Sequence, residues 1–369
     1  MKRSREKILL SVLAILLLLI VLLSLLVRFT TFHPAAVQPQ PVTGAEGAPL
    51  LRAGDSLKVL CFNVQYMAGK HYFFWYDSPA GQGDDTRPSP AHISETLQAV
   101  ARIIIDEDPD VVILQEMNEN DQRTDREDQL ARLLALLPEA YRCHTSAFYW
   151  KADFVPHPRI WGPAGMKLST ISKYQISEAT RYQLPLFPKD VFTRQFYFKR
   201  AVLAARLPVQ GGKDVYVLNT HLDAFAKGND IMTRQVEKVD EILSALDREG
   251  YPWVIGGDFN IMPPGLNPER LPDYQKPYYR ELTELALLYD RYSAIPAREE
   301  LQGPNFREWY THNANNPQVT APDKTIDYFF YSRNLQRLNA YVRQHDTLEI
   351  SDHLPLIAVF KLPEATAAP

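Results

Sequence analysis

The sequence predicts a mixed α and β globular domain carried behind one membrane-spanning helix. Three observations predict it: an unbroken apolar run over residues 8–27, a Pro- and Ala-rich stretch after it, and a long body in which short β-like runs alternate with amphipathic helices. The 369 residues are 46% hydrophobic and 11% aromatic, enough to bury one large core or two modest ones and too apolar for wholesale disorder. Alternation by itself allows either helices layered on packed sheets or a doubly wound parallel sheet.

The apolar run comes first. Twenty residues at about 1.5 Å rise each match a hydrocarbon core of about 30 Å. The run exceeds the core of a signal peptide, and Arg28-Phe29-Thr30-Thr31-Phe32 offers no small-x-small cleavage site, so an uncleaved signal anchor is favoured over a cleaved leader. Lys2, Arg3, Arg5 and Lys7 in the basic tip (residues 1–7) precede the run and only Arg28 follows at once, which predicts a cytoplasmic N-terminus and an exported body. Residues 28–56, with Pro34, Pro39, Pro41 and Pro49, read as a semi-extended tether reaching several tens of ångströms at about 3 Å per residue. The domain is then 57–363, with a short tail at 364–369.

Within the body, residues 57–63 and 111–115 read as strands ending in Asn63 and Glu116. Between them a helix is predicted from Ser89 as N-cap, Pro90 at the first helical position, and Ile93, Leu97, Val100 and Ile104 at three- and four-residue steps. Residues 215–219 and 253–255 read as two more strands, separated by a helix with Val236, Val239, Leu243 and Leu246 that Gly250 stops. Polar residues thus gather at strand ends, where a scaffold can present charge without burying it unpaired in its core.

Six segments share that placement: Cys61-Phe62-Asn63, Leu114-Gln115-Glu116, Asn219-Thr220-His221-Leu222-Asp223, Gly257-Asp258-Phe259-Asn260, Thr325-Ile326-Asp327-Tyr328 and Ser351-Asp352-His353. Each alone reads as an ordinary turn or cap; their joint order carries the signal. In that order the chain resembles the endonuclease/exonuclease/phosphatase superfamily over residues 57–362. The resemblance implies an α+β fold, a four-layer α/β/β/α sandwich with its active site where strand ends of two sheets meet. It implies a phosphoester hydrolase using Mg²⁺, with Mn²⁺ as the alternative ion. Glu116 would be the main carboxylate ligand, Asn63 would bind metal or its water, and Asp352 would be a further ligand or water-positioner. Asp258 would orient or deprotonate the attacking water, sharing the general-base assignment with His353, and Asn260, facing the same side of an extended segment, would hold a phosphoryl oxygen. Asp327 would fix the tautomer of His353, and His221 would donate to non-bridging oxygens. Asp223 and Thr220 are as readily structural. The family's Ser-Lys/Arg-Tyr-Pro-Ile turn stands here as Ser172-Lys173-Tyr174-Gln175-Ile176, with Gln in the Pro position.

Charge bears on substrate. Residues 1–50 carry five Lys/Arg and two Asp/Glu, or +3, so the whole-chain −4 leaves −7 beyond residue 50. Such a domain gains little from counterion release on a nucleic-acid backbone. A lipid or envelope-linked phosphodiester is therefore the expected substrate and the membrane the expected partner, a tethered nuclease acting on DNA or RNA is the less favoured reading, and a non-catalytic module of the same fold is a third. Aromatic stretches at residues 71–76 and 148–150, and Trp161, either grip an apolar substrate or cover the core. Lys199 and Arg200, with Arg194 upstream, either meet a phosphate or form solvated surface. Cys61 and Cys143 are the only cysteines, so one bridge is left open, as is oligomeric state.

Overall fold

The chain's β-like runs, the central ones buried along nearly their whole length, form two seven-stranded sheets packed face to face, seen in a computed structural model that describes residues 2–70, 72, 86–224, 228–266, 269, 273, 283–315, 319 and 321–365. In chain order the elements are α1 (Lys2–Thr30), β1 (Val37–Pro39), β2 (Val42–Thr43), β3 (Leu51–Arg52), β4 (Ser56–Asn63), α2 (Pro90–Glu107), β5 (Val111–Asn118), α3 (Gln129–Leu134), β6 (Cys143–Val155), β7 (Gly162–Ser172) and β8 (Glu178–Gln183). They continue with α4 (Thr193–Phe196), β9 (Ala201–Leu207), β10 (Val209–Gln210), β11 (Val215–His221), α5 (Ile231–Glu249), β12 (Trp253–Asp258), α6 (Ala286–Arg291), β13 (Ser293–Ile295), α7 (Arg298–Gln302), β14 (Asp327–Tyr331), β15 (Gln336–Val342) and β16 (Leu356–Lys361).

One sheet runs β15-β16-β4-β5-β7-β6-β2 and the other β1-β8-β9-β11-β12-β14-β13. Each has a single central parallel pair, β4 with β5 and β11 with β12, each joined by a crossover carrying α2 or α5, and antiparallel neighbours elsewhere. This is the four-layer sandwich, and the antiparallel majority rules out a doubly wound parallel sheet. α2 begins as its sequence predicts: Ser89 Oγ accepts from the His92 amide at 3.2 Å, and Ile93, Leu97, Val100 and Ile104 are buried. α5 ends on Gly250 in the left-handed conformation.

Two features fix the strands beneath the site, the first between the sheets and the second within one of them. Asn219 on β11 reaches into the opposite sheet, its Nδ2 donating to Leu114 O and Ser169 O at 3.0 Å each while Gln115 Nε2 donates to its Oδ1 at 2.7 Å. Fully buried polar groups are tolerated only when satisfied like this. Gly257 sits against Thr220 so closely that a Cβ there would lie 1.9 Å from the Thr220 carbonyl oxygen. Gly257→Ala is therefore expected to cost about 3 kcal/mol, read as a lowered thermal unfolding midpoint. An unchanged midpoint contradicts this approach of β11 to β12.

The stretch expected as a tether does not hang free. β1 extends one sheet antiparallel to β8, β2 extends the other antiparallel to β6, and β3 pairs with β10. Prolines suit it to edge positions, where a missing N–H faces away from the ladder. α1 runs into this segment, and Thr31 forms a bridge with Ala152 of β6. Helix residues 5–30 are long and apolar enough to cross a membrane. Cys61 and Cys143 are both buried free thiols. Of the expected aromatic insertion, Tyr72 packs on His92 with ring centroids 4.6 Å apart, and residues 71 and 73–76 lie outside the described set, as does the tail from residue 366.

Candidate active site

Parallel strands β4 and β5 end at one edge of the sandwich together with β11 and β12, and this edge collects the polar residues that the sequence placed at strand ends. One sheet supplies Asn63, Glu116 and, just before β16, Asp352 and His353. The other supplies His221, Asp258, Asn260 and Asp327.

Glu116 reaches the edge through a backbone irregularity. The register of β5 against β7 shifts between Leu114 and Met117, and Glu116 takes φ +62. A bulge there re-aims a side chain that a regular strand would direct elsewhere, at a local cost of about 1 kcal/mol or more. Asn63 Nδ2 then donates to Glu116 Oε1 at 3.2 Å and to Asp258 Oδ2 at 3.0 Å, bridging the sheets. Its own oxygen accepts from the Gln65 amide, and Ser351 Oγ donates to the Asn63 carbonyl at 2.8 Å.

Asp258 is the hub. Its Oδ2 lies 3.3 Å from His221 Nε2 and 3.4 Å from His353 Nε2, while Oδ1 accepts from the Asn260 amide at 2.9 Å. Asn260 is not on an extended continuation of β12 as expected. It turns back at φ +53, a conformation Asn tolerates, because its N–H closes onto Asp258, and its Nδ2 comes to 3.1 Å from His221 Nε2.

His353 Nδ1 meets Asp327 Oδ2 at 2.8 Å. Asp327 is itself held by Thr311, whose Oγ1 accepts from the Ile326 and Asp327 amides at 3.1 Å. Burial works against an imidazolium at His353, but Asp327, Asp258 and Asp352 outweigh it and push its pKa up to about 10. Burial raises Asp258 to about 6, with Asp327 adding and His353 subtracting. His221 goes the other way: burial, Arg200 and His353 drive it well below 6.5. The edge therefore holds one cationic and one neutral imidazole around a carboxylate of near-neutral pKa. Asp258, Asp327 and His353 bring ligand-type atoms within 4.8 Å of one another, and because both ring nitrogens of His353 already face carboxylate oxygens we read this trio as an ion-paired relay.

Asp352 groups with His353 and with His312, whose ring stands edge-on to His353 at 4.9 Å. His312 belongs to no motif and was not foreseen. Two residues that the sequence left between two readings, Arg200 and Tyr149, stand beside the site. Arg200 is not solvated surface: it is buried, its Nε lies 3.3 Å from Asp223 Oδ1, it stacks on Tyr149 at 4.9 Å, and its Nη1 has no hydrogen-bond partner among the described residues. Tyr149, buried on β6, brings its hydroxyl to 3.4 Å from His221 Nδ1. Lys199 is buried too, its ammonium donating to the Arg194 and Tyr197 carbonyls. Asp223 and Thr220 are structural: Asp223 pairs Arg200 with Gln235, and Thr220 Oγ1 donates to Ala201 O.

A divalent cation suits this edge. Asp258, Asp327 and Asp352 face the His353 imidazolium, with Glu116 joined to Asp258 through Asn63; buried Lys324 is flanked by Asp323 and Arg200 is paired to Asp223, so the carboxylates outnumber the cations and offer hard oxygen donors.

Residues 60–353 match the model of the Endonuclease/Exonuclease/phosphatase family, and the chain belongs to that family, whose members hydrolyse phosphoesters. The chain is similar to an inositol phosphosphingolipids phospholipase C of Schizosaccharomyces pombe, 29% identical over 117 residues, which is 30% of this chain and 28% of that protein. The similarity thus spans less than a third of the curated relative's length. Its fold is similar to the endonuclease/exonuclease/phosphatase of Beutenbergia cavernae, with a TM-score of 0.58 at 22% identity over 85% of this chain and 73% of the other. It is also similar to a family protein of Leptotrichia buccalis, with a TM-score of 0.50 at 15% identity over 82% and 98%.

Proposed function

We propose that this chain is a Mg²⁺-dependent phosphodiesterase, anchored by α1 with its domain outside the cytoplasm, that cleaves a lipid or envelope-associated phosphodiester. The observation that carries the chemistry is the convergence of His221, His353 and Asn63 on Asp258 Oδ2, all within 3.4 Å. Three features support the substrate class: the apolar helix, the acidic body, and the similarity to a protein named for phosphosphingolipid cleavage.

Glu116 and Asp352 would hold the metal, and Asn63, on the neighbouring strand, would keep Glu116 in place. When bound, the ion supplies positive charge to the phosphoryl oxygens. Asp258 accepts the proton of the attacking water at Oδ2, a role its raised pKa suits near neutral pH. His353, already protonated, is then the cation beside the developing charge, and Asp327 keeps it so. Asn260 Nδ2 and the single N–H of neutral His221 donate to non-bridging oxygens, and buried Arg200 adds positive charge from behind them.

The purified full chain in detergent micelles is expected to hydrolyse phospho- or sphingophospholipids in Mg²⁺, to lose that activity in EDTA, and to leave plasmid DNA and RNA intact. Robust plasmid cleavage without lipid hydrolysis overturns the substrate class. Lipid activity indifferent to EDTA overturns the metal.

A further inference from the structure

The end of α1, the tip of the β6–β7 arm and the α4 segment lie together at the catalytic edge, and their surface is unlike the rest of the domain. Thr31, the residue after α1, bridges to Ala152, two residues before Phe154. Past Glu119, whose amide donates to Gly165 O, the arm runs on beyond the catalytic edge to the Val155–Gly162 pairing. From the level of Glu116 the helix exit is therefore about four residues along the arm, or about 15 Å at strand spacing. α4 is fastened to the same arm, with Trp150 Nε1 donating to Phe196 O at 2.7 Å.

Outside α1, the exposed Phe and Trp side chains among the described residues are Phe154, Trp161 and Phe192, and all three lie on this arm and segment. Trp161 is 66% exposed and Phe192 54%, Val191 stands beside Phe192, and Phe29 at the end of α1 is 79% exposed. Phe154 and Trp161 pack edge to face at 5.1 Å. Trp161 also holds φ +45, a left-handed conformation costly for a bulky side chain, fixed by its amide donating to His157 O at 2.8 Å. A strained backbone that presents an indole to solvent serves no core. Exposed Arg28, Lys151 and Arg159 lie within three residues of one or another of these rings in the sequence, as do exposed Arg194 and the acids Asp153 and Asp190.

We propose that this surface lies in the interface of the bilayer that α1 crosses, so that the catalytic edge faces the membrane and takes its phosphodiester from a lipid headgroup without the lipid leaving the bilayer. Aromatic rings at headgroup depth and basic side chains over anionic lipid are the groups such a surface needs. The inference rests on reading α1 as an anchor. It deepens the functional proposal: a headgroup in the adjoining leaflet lies within the height of the arm, and no free tether has to span the gap.

The test uses the full chain reconstituted into phosphatidylcholine/phosphatidylglycerol vesicles containing lipids brominated high on the acyl chains. Bromine quenches indoles at that depth, and comparison of the wild type with Trp161→Phe isolates one of the five tryptophans. Expected is a quenchable emission that disappears in Trp161→Phe and returns when Phe192→Trp is added to that variant. Flotation of the same samples reads the anchor separately. A chain that floats but shows equal quenching in the wild type and Trp161→Phe overturns the membrane-facing surface and leaves the anchor standing. A chain that does not float overturns both.

Discussion

Asp258→Asn is expected to lower turnover about a thousandfold while making the folded protein more stable at pH 8. The loss follows from removing the proton acceptor on which His221, His353 and Asn63 converge. The gain follows from burial. Burial pushes Asp258 from its ordinary 3.8 up to about 6 in the fold, so between those pH values the unfolded chain ionises while the folded one stays protonated. Stability falls across that window and stays lower above it. Asn carries no charge to desolvate, so the variant is relieved of that cost at pH 8, less what His353 loses with this countercharge, and is relieved of nothing at pH 3. Initial rates and unfolding midpoints measured across pH check both halves. A midpoint that drops at pH 8 means favourable charge holds the carboxylate, and Asp258 is then no poised base.

Asp327→Asn is expected to slow turnover at pH 8 about a hundredfold and to move the alkaline limb of the rate profile from about 10 toward neutrality. His353 has its pKa raised above 6.5, so the stability its charge contributes is full below 6.5 and lost as pH rises through about 10. Asn can still accept the Nδ1 hydrogen bond that Asp327 receives at 2.8 Å, so the ring keeps its place and loses its counter-charge. A role in shape alone would leave the limb where it is. A limb that stays near pH 10 assigns the charge to Asp258 and Asp352.

Much of the edge was legible because strand ends announce themselves. Asn63, His221 and Asp258 each close an apolar run, and regular strands carried them where the run predicted. What stayed hidden depends on contacts between distant segments. No local pattern shows that β5 bulges at Glu116 or that residues 37–43 find edges to pair with, since each outcome is decided by a partner far along the chain, while the turn of Asn260 onto Asp258 is a two-residue closure that an extended reading of β12 passed over. Arg200 and Lys199 looked like surface because a cation next to a strand usually is. Only the third dimension brings Asp223 and Tyr149 over Arg200. His312 gave no signal at all, being placed by Asn313 and Thr311 bonding to the chain around His353.

The bond between Asn219 and Gln115 has a consequence for how this enzyme can change. Glu116, Asp352 and His353 ride on one sheet and His221, Asp258 and Asp327 on the other, so the distances within the site are a property of the gap between them, set by a few buried amides. A substitution at Asn219 touches nothing reactive, yet it would detune the machinery like a slipped gear. The outer helices and loops are free to vary without that penalty. New specificities can therefore be sampled at the rim, and old ones discarded, with the engine left in time.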